Sequence, residues 1–401
     1  MKARLKSLLL AACALLLAIC LLIMPNETLS ASKRGLDIWT SSVFPSLLPF
    51  FVMGEILIGF GVVHFIGVLF EPIMKPIFNV PGVGSFIWAM GMASGYPAGA
   101  KFTARMRQEG QLNKVQAERL IAFTNASNPL FIIAVVSVSF LKAPRLGLLL
   151  VIAHYGSNLI VGLFMRFYKI EAQSQVRSTS NKNIWRRAFE TLHQTRIEQN
   201  KPFGKLFGDA VIHSVQTLLM IGGFIMFFSV FSSILIETGI LVGISRIFEV
   251  IFRLFNLSPS LALPFSTGIF EITLGIQQIA NYSDEVLKIK AVLVSVLLAF
   301  NGLSVHAQVA SLLADTDISY FPYFIGRLLQ GVFSACIVLL FYPLILTSNK
   351  APIGQAVPVL GPLSNQLWDM IMHMINQYGV MISLTTLWIS FFIFSYRALK
   401  Q

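Results

Sequence analysis

Glu271 lies in the apolar stretch STGIFEITLG, and further on Asn301, Ser304 and His306 interrupt another, AFNGLSVHAQ. An ionisable group at membrane depth is expensive, so it faces a solute pathway or a hydrogen-bonding partner. Asn301 and Ser304 are three apart and share a helix face. Asn125, Ser127 and Asn128 break AFTNASNPLF in the same way, and Ser94, Gly95 and Tyr96 fall in MASGYPAGAK. Asn and Ser offer donors and acceptors together, which suits a ligand with carbonyl, carboxylate or ring-nitrogen groups. The chemistry these residues predict is reversible binding. H-E-x-x-H, P-loop and G-x-S-x-G patterns are absent, and no nucleophile pairs with a base by spacing, so an enzyme is not expected.

The expected substrate-binding residues are therefore Ser94, Gly95, Tyr96, Asn125, Ser127, Asn128, Thr267, Glu271, Asn301 and Ser304. Glu271 and His306 are candidates to couple a proton or sodium ion, the histidine because its ordinary pKa lies near neutrality. Lys101 reads either as an attractor of anions at a cytosolic mouth or as a snorkelling lysine. Glu55, His154 and Asp209 also lie in or near spans, and each taken alone reads as structural. No cofactor or metal is expected.

Such residues must be held by membrane helices. Of 401 residues, 55% are hydrophobic and 12% charged, with a mean hydropathy of +0.74. Several apolar runs exceed the roughly 18–20 residues that cross a bilayer. The net charge of +12 falls mostly in connections, which points to positive-inside topology and away from nucleic acid. Cys13, Cys20 and Cys336 all fall inside apolar runs and read as small hydrophobes. The first apolar run, after Lys2, Arg4 and Lys6, could be a signal peptide but is longer than a usual h-region and has no A-x-A site after it, so it reads as a retained span. Further spans fall near 38–62, 115–141, 146–168, 208–236, 288–313, 322–347 and 377–396. The fold class is thus an all-α polytopic membrane protein of about eight transmembrane helices, with two re-entrant hairpins at 82–104 and 260–281.

The chain repeats itself. ILIGFGVVHFIGVLFEP from Ile56 and ILIETGILVGISRIFEV from Ile234 share Ile, Leu, Ile, Gly, Ile, Phe and Glu at a constant offset of 178 residues (234 − 56). Each copy continues into an interrupted hairpin and then a broken helix. Three crossings lie between equivalent points, so the second copy is inverted, as in secondary transporters whose broken helices meet at the midplane. The expected organisation is an N-terminal span and loop (1–37), a first repeat (38–168), a basic cytosolic linker (169–207), a second repeat (208–347), and an interfacial segment with a last span (348–401). Residues 169–205 hold eight Lys/Arg against three Glu, which places them, and both termini, in the cytosol. Ser178 and Ser283 should then lie on opposite sides. Gly95 and Gly99 read as the turn at the first hairpin tip, with Gly162 outside the site.

This succession of interfacial helix, re-entrant hairpin and broken helix, given twice, resembles the concentrative nucleoside transporters and the wider nucleoside-recognition Gate domain family. In those transporters the second hairpin carries a glutamate and the next broken helix N-x-x-S, the places of Glu271 and Asn301-Gly302-Leu303-Ser304. The first hairpin departs, with Ser94-Gly95-Tyr96-Pro97 where the transporters have a polar cluster. Over nearly its whole length, and most through SGYPAGAK and NASNPLF, the chain is similar to the stage V sporulation integral membrane proteins of spore-forming Firmicutes. That resemblance implies a multi-pass protein of the outer forespore membrane, moving dipicolinic acid from the mother-cell cytosol towards the spore. The residues themselves leave open a small anionic or heteroaromatic solute, a nucleoside or nucleobase, or a non-transporting scaffold for spore-envelope assembly. The expected partners are the solute, the lipid bilayer and a coupling ion; oligomeric state is not indicated.

Overall fold

The computed structural model describes residues 2–169, 184–199, 202–283 and 285–346. The expected segment 348–376, the last span at 377–396 and Ser178 lie outside the described residues. Within them the chain is a polytopic all-helical membrane protein with sixteen α-helices. α1 (Lys2–Ile23) and α2 (Pro25–Ile38) meet at a 101° bend where Pro25 starts the second helix. A short π-helical segment leads into α3 (Phe44–Gly59) and α4 (Val62–Phe78), bent by 82°. The first hairpin is α5 (Val83–Ser94) and α6 (Ala98–Gln108). α7 (Lys114–Thr124) stops at Asn125, and a π-helical segment, Phe131–Phe140, resumes before α8 (Leu146–Met165).

The second copy follows the linker helix α9 (Ile184–Gln199). Its elements are α10 (Phe203–Glu237), α11 (Ile240–Leu254), the hairpin α12 (Ala262–Phe270) and α13 (Ile272–Asn281), the broken pair α14 (Leu287–Phe300) and α15 (Gly302–Leu313), and α16 (Phe321–Leu346). The repetition extends to backbone conformation. The long helix of each copy ends at a left-handed glycine, Gly61 (φ 75°) and Gly239 (φ 73°). The amphipathic helix after it ends at a left-handed asparagine, Asn79 (φ 57°) and, one residue out of register, Asn256 (φ 53°). Glycine adopts this region freely and asparagine tolerates it, which is why these two types recur at these turns.

α8, α10, the pair α14–α15 and α16 are each long and apolar enough to cross a membrane, and each bent pair can supply one more crossing. The span expected at 115–141 is instead two half-helices, neither long enough alone, because 125–128 leaves helical pairing.

Contacts fix the direction of the two hairpins. At one end of the bundle, Arg119 Nη1 donates to the Asn79 carbonyl at 2.7 Å and its Nε to that of Tyr168 at 3.0 Å. Arg107 there makes a two-pronged ion pair with Asp317, at 2.8 and 2.9 Å, and its hydrogen bonds hold the Asp317 carboxyl below the usual range. The base of α5–α6 belongs to this end, and α9 joins it through Arg187 on Glu71 of α4 at 3.1 Å. At the other end, Leu141, Leu146, Phe252, Leu261 and Ile279 pack in one core, with Lys290 Nζ on the Ala280 carbonyl at 3.1 Å. The base of α12–α13 lies there. α8 joins the ends with 20 residues, about 30 Å at 1.5 Å per residue. The repeats are inverted, and each hairpin reaches towards the middle from its own end.

A cysteine at exposed Gln194, on the linker helix, should therefore react with an impermeant thiol reagent from the face opposite to one at exposed Ser283. Labelling of both from a single face would contradict the arrangement.

Candidate functional site

Four interruptions meet in the middle: Ser94–Pro97, Asn125–Asn128, Glu271 and Asn301. Each ends one helix and begins another, so backbone carbonyls and N–H groups released from helical pairing face each other inside the protein. Side chains take over. Glu271 caps α13, its carboxylate accepting from the Leu274 N–H at 2.7 Å. Asn128 caps the π-helical segment, accepting from Phe131 N–H at 2.7 Å and donating to the Ser94 carbonyl at 3.2 Å. The Tyr96 hydroxyl, from the tip of the first hairpin, donates to the Leu298 carbonyl of α14 at 2.7 Å. His306 Nε2 lies 2.8 Å from the Phe300 carbonyl, and Nδ1 lies 2.5 Å from the Tyr320 hydroxyl.

The corresponding asparagines of the two copies meet at one atom. Asn125 Nδ2 donates to the Tyr323 hydroxyl at 3.2 Å. With its amide turned to satisfy both ends, Asn301 accepts from that hydroxyl at 3.2 Å and donates to the Leu298 carbonyl at 2.8 Å. Asn301 holds a left-handed conformation, φ 77°, as it leaves α14 and opens α15. Ser127 gives its backbone N–H to His154 Nε2 at 3.0 Å and its carbonyl to the Tyr155 hydroxyl at 2.7 Å. Thr267 is buried and returns its hydroxyl to the Leu263 carbonyl at 3.0 Å; Ser304 is buried on α15.

Arg327, on α16, was not singled out from sequence. It is fully buried, and its guanidinium donates to the carbonyls of Asn125 (2.8 Å) and Ala122, to Asn158 Oδ1 (3.1 Å) and to Gln330 Oε1 (2.5 Å). It thus caps the broken C-terminus of α7, where the helix dipole favours a cation. The signal was its neighbours: Tyr323, Arg327 and Gln330 stand at helical spacing and make one polar stripe on an apolar helix. His154 and Asn158 make another on α8. Around the breaks, Ser94 Oγ, Thr124 Oγ1, Asn125 Oδ1, His154 Nδ1, Asn158 Nδ2 and Arg327 Nε are buried without a protein partner.

Two other candidates lie elsewhere. Lys101 is neither snorkelling nor open to solutes: its Nζ lies 3.1 Å from Glu55, with both side chains buried, and 4.5 Å from the centre of the Phe51 ring. Glu55, Arg105, Asp209 and His213 line a cleft between α3, α6 and α10. Gly95 does make the turn at the hairpin tip, with φ 93°. Gly99 does not. It packs its helix on α7, where an added Cβ would lie 2.3 Å from the Thr124 carbonyl oxygen. Gly91 makes the same approach, and Gly268 and Gly275 repeat the pair in the second hairpin. Gly162 is no bystander either, since its Cβ would meet the Phe78 ring at 2.8 Å.

The chain matches the Gate family, described as nucleoside recognition, over residues 40–144 and 218–316, one match in each inverted copy. It is also 45% identical over 401 residues to the sporulation integral membrane protein YlbJ of Bacillus subtilis (strain 168), covering 98% of this chain and 97% of that protein. The chain belongs to the Gate family, among the YlbJ-type sporulation integral membrane proteins. No solved structure matches it. Both Gate matches contain an amphipathic helix, a hairpin and a helix break, so the four central interruptions fall within the Gate repeats. A transporter-like role in a membrane follows from that membership.

Proposed function

We propose that the protein is a secondary transporter for a small anionic or heteroaromatic solute, with dipicolinate as substrate, carried from the mother cell towards the forespore across its outer membrane. The observation that carries this reading is the set of buried polar atoms without protein partners at the meeting of four helix breaks. Each such atom costs about 1–3 kcal/mol unless something binds it, and a polar solute held between two inverted halves satisfies them together. Ser94, Gly95, Tyr96, Asn125, Ser127, Asn128, Thr267, Glu271, Asn301 and Ser304 form or frame that place. The repeats 38–168 and 208–347 act as its two halves, joined by the linker 169–207. Glu271 and His306 are held by backbone and hydroxyl partners, which suits positioning of helix ends as well as coupling to a proton or sodium ion. The basic linker and both termini face the cytosol in this reading.

Uptake into liposomes containing the purified protein is the test. Dipicolinate is expected to enter well above the rate of protein-free vesicles. Entry of nucleosides alone would favour a nucleoside permease, and entry of neither a scaffold.

A further inference from the structure

We propose that Arg327 Nε, His154 Nδ1 and Asn158 Nδ2 are the donors that receive a carboxylate group of the transported solute. This rests on the transport reading above and names what selects the solute.

The argument begins with proton placement. Ser127 gives its backbone N–H to His154 Nε2, so the neutral imidazole carries its proton on Nδ1, and that N–H is buried with no acceptor. Asn158 gives Oδ1 to Arg327, which turns its NH2 group away, and Nδ2 also lacks an acceptor. Of the five guanidinium N–H groups, four go to neutral oxygens and Nε–H to none. The three unanswered groups are all donors, and they belong to one connected cluster. His154 and Asn158 are one turn apart on α8, Arg327 touches Asn158, and Gln330 ties Arg327 to the His154 carbonyl at 3.0 Å. Among the described residues no carboxylate forms an ion pair with Arg327. A fully buried cation answered only by neutral groups, beside surplus N–H donors, matches an anion with several acceptor lone pairs. Of the other unpartnered atoms, Asn125 Oδ1 accepts only, while the Ser94 and Thr124 hydroxyls can donate or accept, so the charge of the cluster favours an anion over a cation.

Full-length protein in liposomes and in detergent is compared with its Asn158→Asp variant, using pyridine-2,6-dicarboxylate, pyridine-2-carboxylate and pyridine-2,6-dicarboxamide as probes. The substitution keeps the shape and the contact with Arg327 but supplies the guanidinium with a carboxylate of its own. Without probe, the thermal midpoint is expected to rise. Uptake of both carboxylates is expected to fall about tenfold or more, and the parent is expected to take up both faster than the diamide. Carboxylate uptake equal to the parent's overturns the docking assignment while leaving transport standing. A lowered midpoint overturns it too, because the guanidinium then already has its counter-charge. If the parent moves none of the probes, the transport reading fails and binding decides alone. A dipicolinate-induced rise in the parent's midpoint that Asn158→Asp abolishes keeps the docking site, and no rise overturns it.

Discussion

Gly275→Ala is expected to leave little well-folded protein. The second hairpin closes on itself through glycine: a Cβ at Gly275 would lie 2.1 Å from Gly268 Cα and 2.2 Å from its nitrogen. Those are backbone atoms, so no rotamer change relieves the overlap, and α12 and α13 must move apart. In a membrane, such close approach of small residues is a main source of helix association. Overpacking at a site that can adjust costs about 1–3 kcal/mol, and one that cannot adjust costs more. Size-exclusion profile and thermal midpoint in detergent check this. Gly223→Val is the comparison, because nothing lies within 4 Å of its added Cβ, and it should behave as the parent. A monodisperse Gly275→Ala protein melting with the parent would mean the hairpin is not packed this closely.

Gly95→Val tests function more directly. Gly95 has φ 93° and ψ −171°, a conformation that side chains resist at about 1–3 kcal/mol. Its Cβ would also press on the backbone nitrogen of Asn128 at 3.1 Å, the residue that caps the next break. Transport is expected to fall about tenfold to a hundredfold, while membrane insertion and amount of protein stay near normal, since one tip is affected and not a helix interface. Gly162→Val is no suitable control, given the Phe78 ring against it; Gly223→Val again serves. Parental flux in Gly95→Val would remove the hairpin tip from the site.

Much of this architecture was legible because breaks announce themselves. Gly, Pro and Asn inside apolar runs cost helix stability, so MASGYPAGAK, AFTNASNPLF and AFNGLSVHAQ stood out, and the shared residues 178 apart exposed the duplication. Arg327 escaped notice for a physical reason. A single arginine in a long apolar helix reads like one that snorkels, and its partners at Ala122, Asn125 and Asn158 are distant in sequence. Gly99 follows Gly95 and Pro97 and so reads as a turn, yet close backbone packing uses the same residue type. The Lys101–Glu55 pair was hidden in the same way, each charge interpreted without the helix that brings the other.

The Tyr323 hydroxyl, held between Asn125 and Asn301, bears on leakage. In the proposed transport cycle, opening at one break would draw one amide away and leave the hydroxyl with the other. Opening both at once strands the hydroxyl and both amides, three groups in a dry interior, at about 1–3 kcal/mol each. In the proposed transport cycle a continuous channel would carry that added cost, which opening at a single break avoids. If the protein transports as proposed, this one hydroxyl, contacted from both copies, would act as an interlock that ties the opening of one break to the closure of the other.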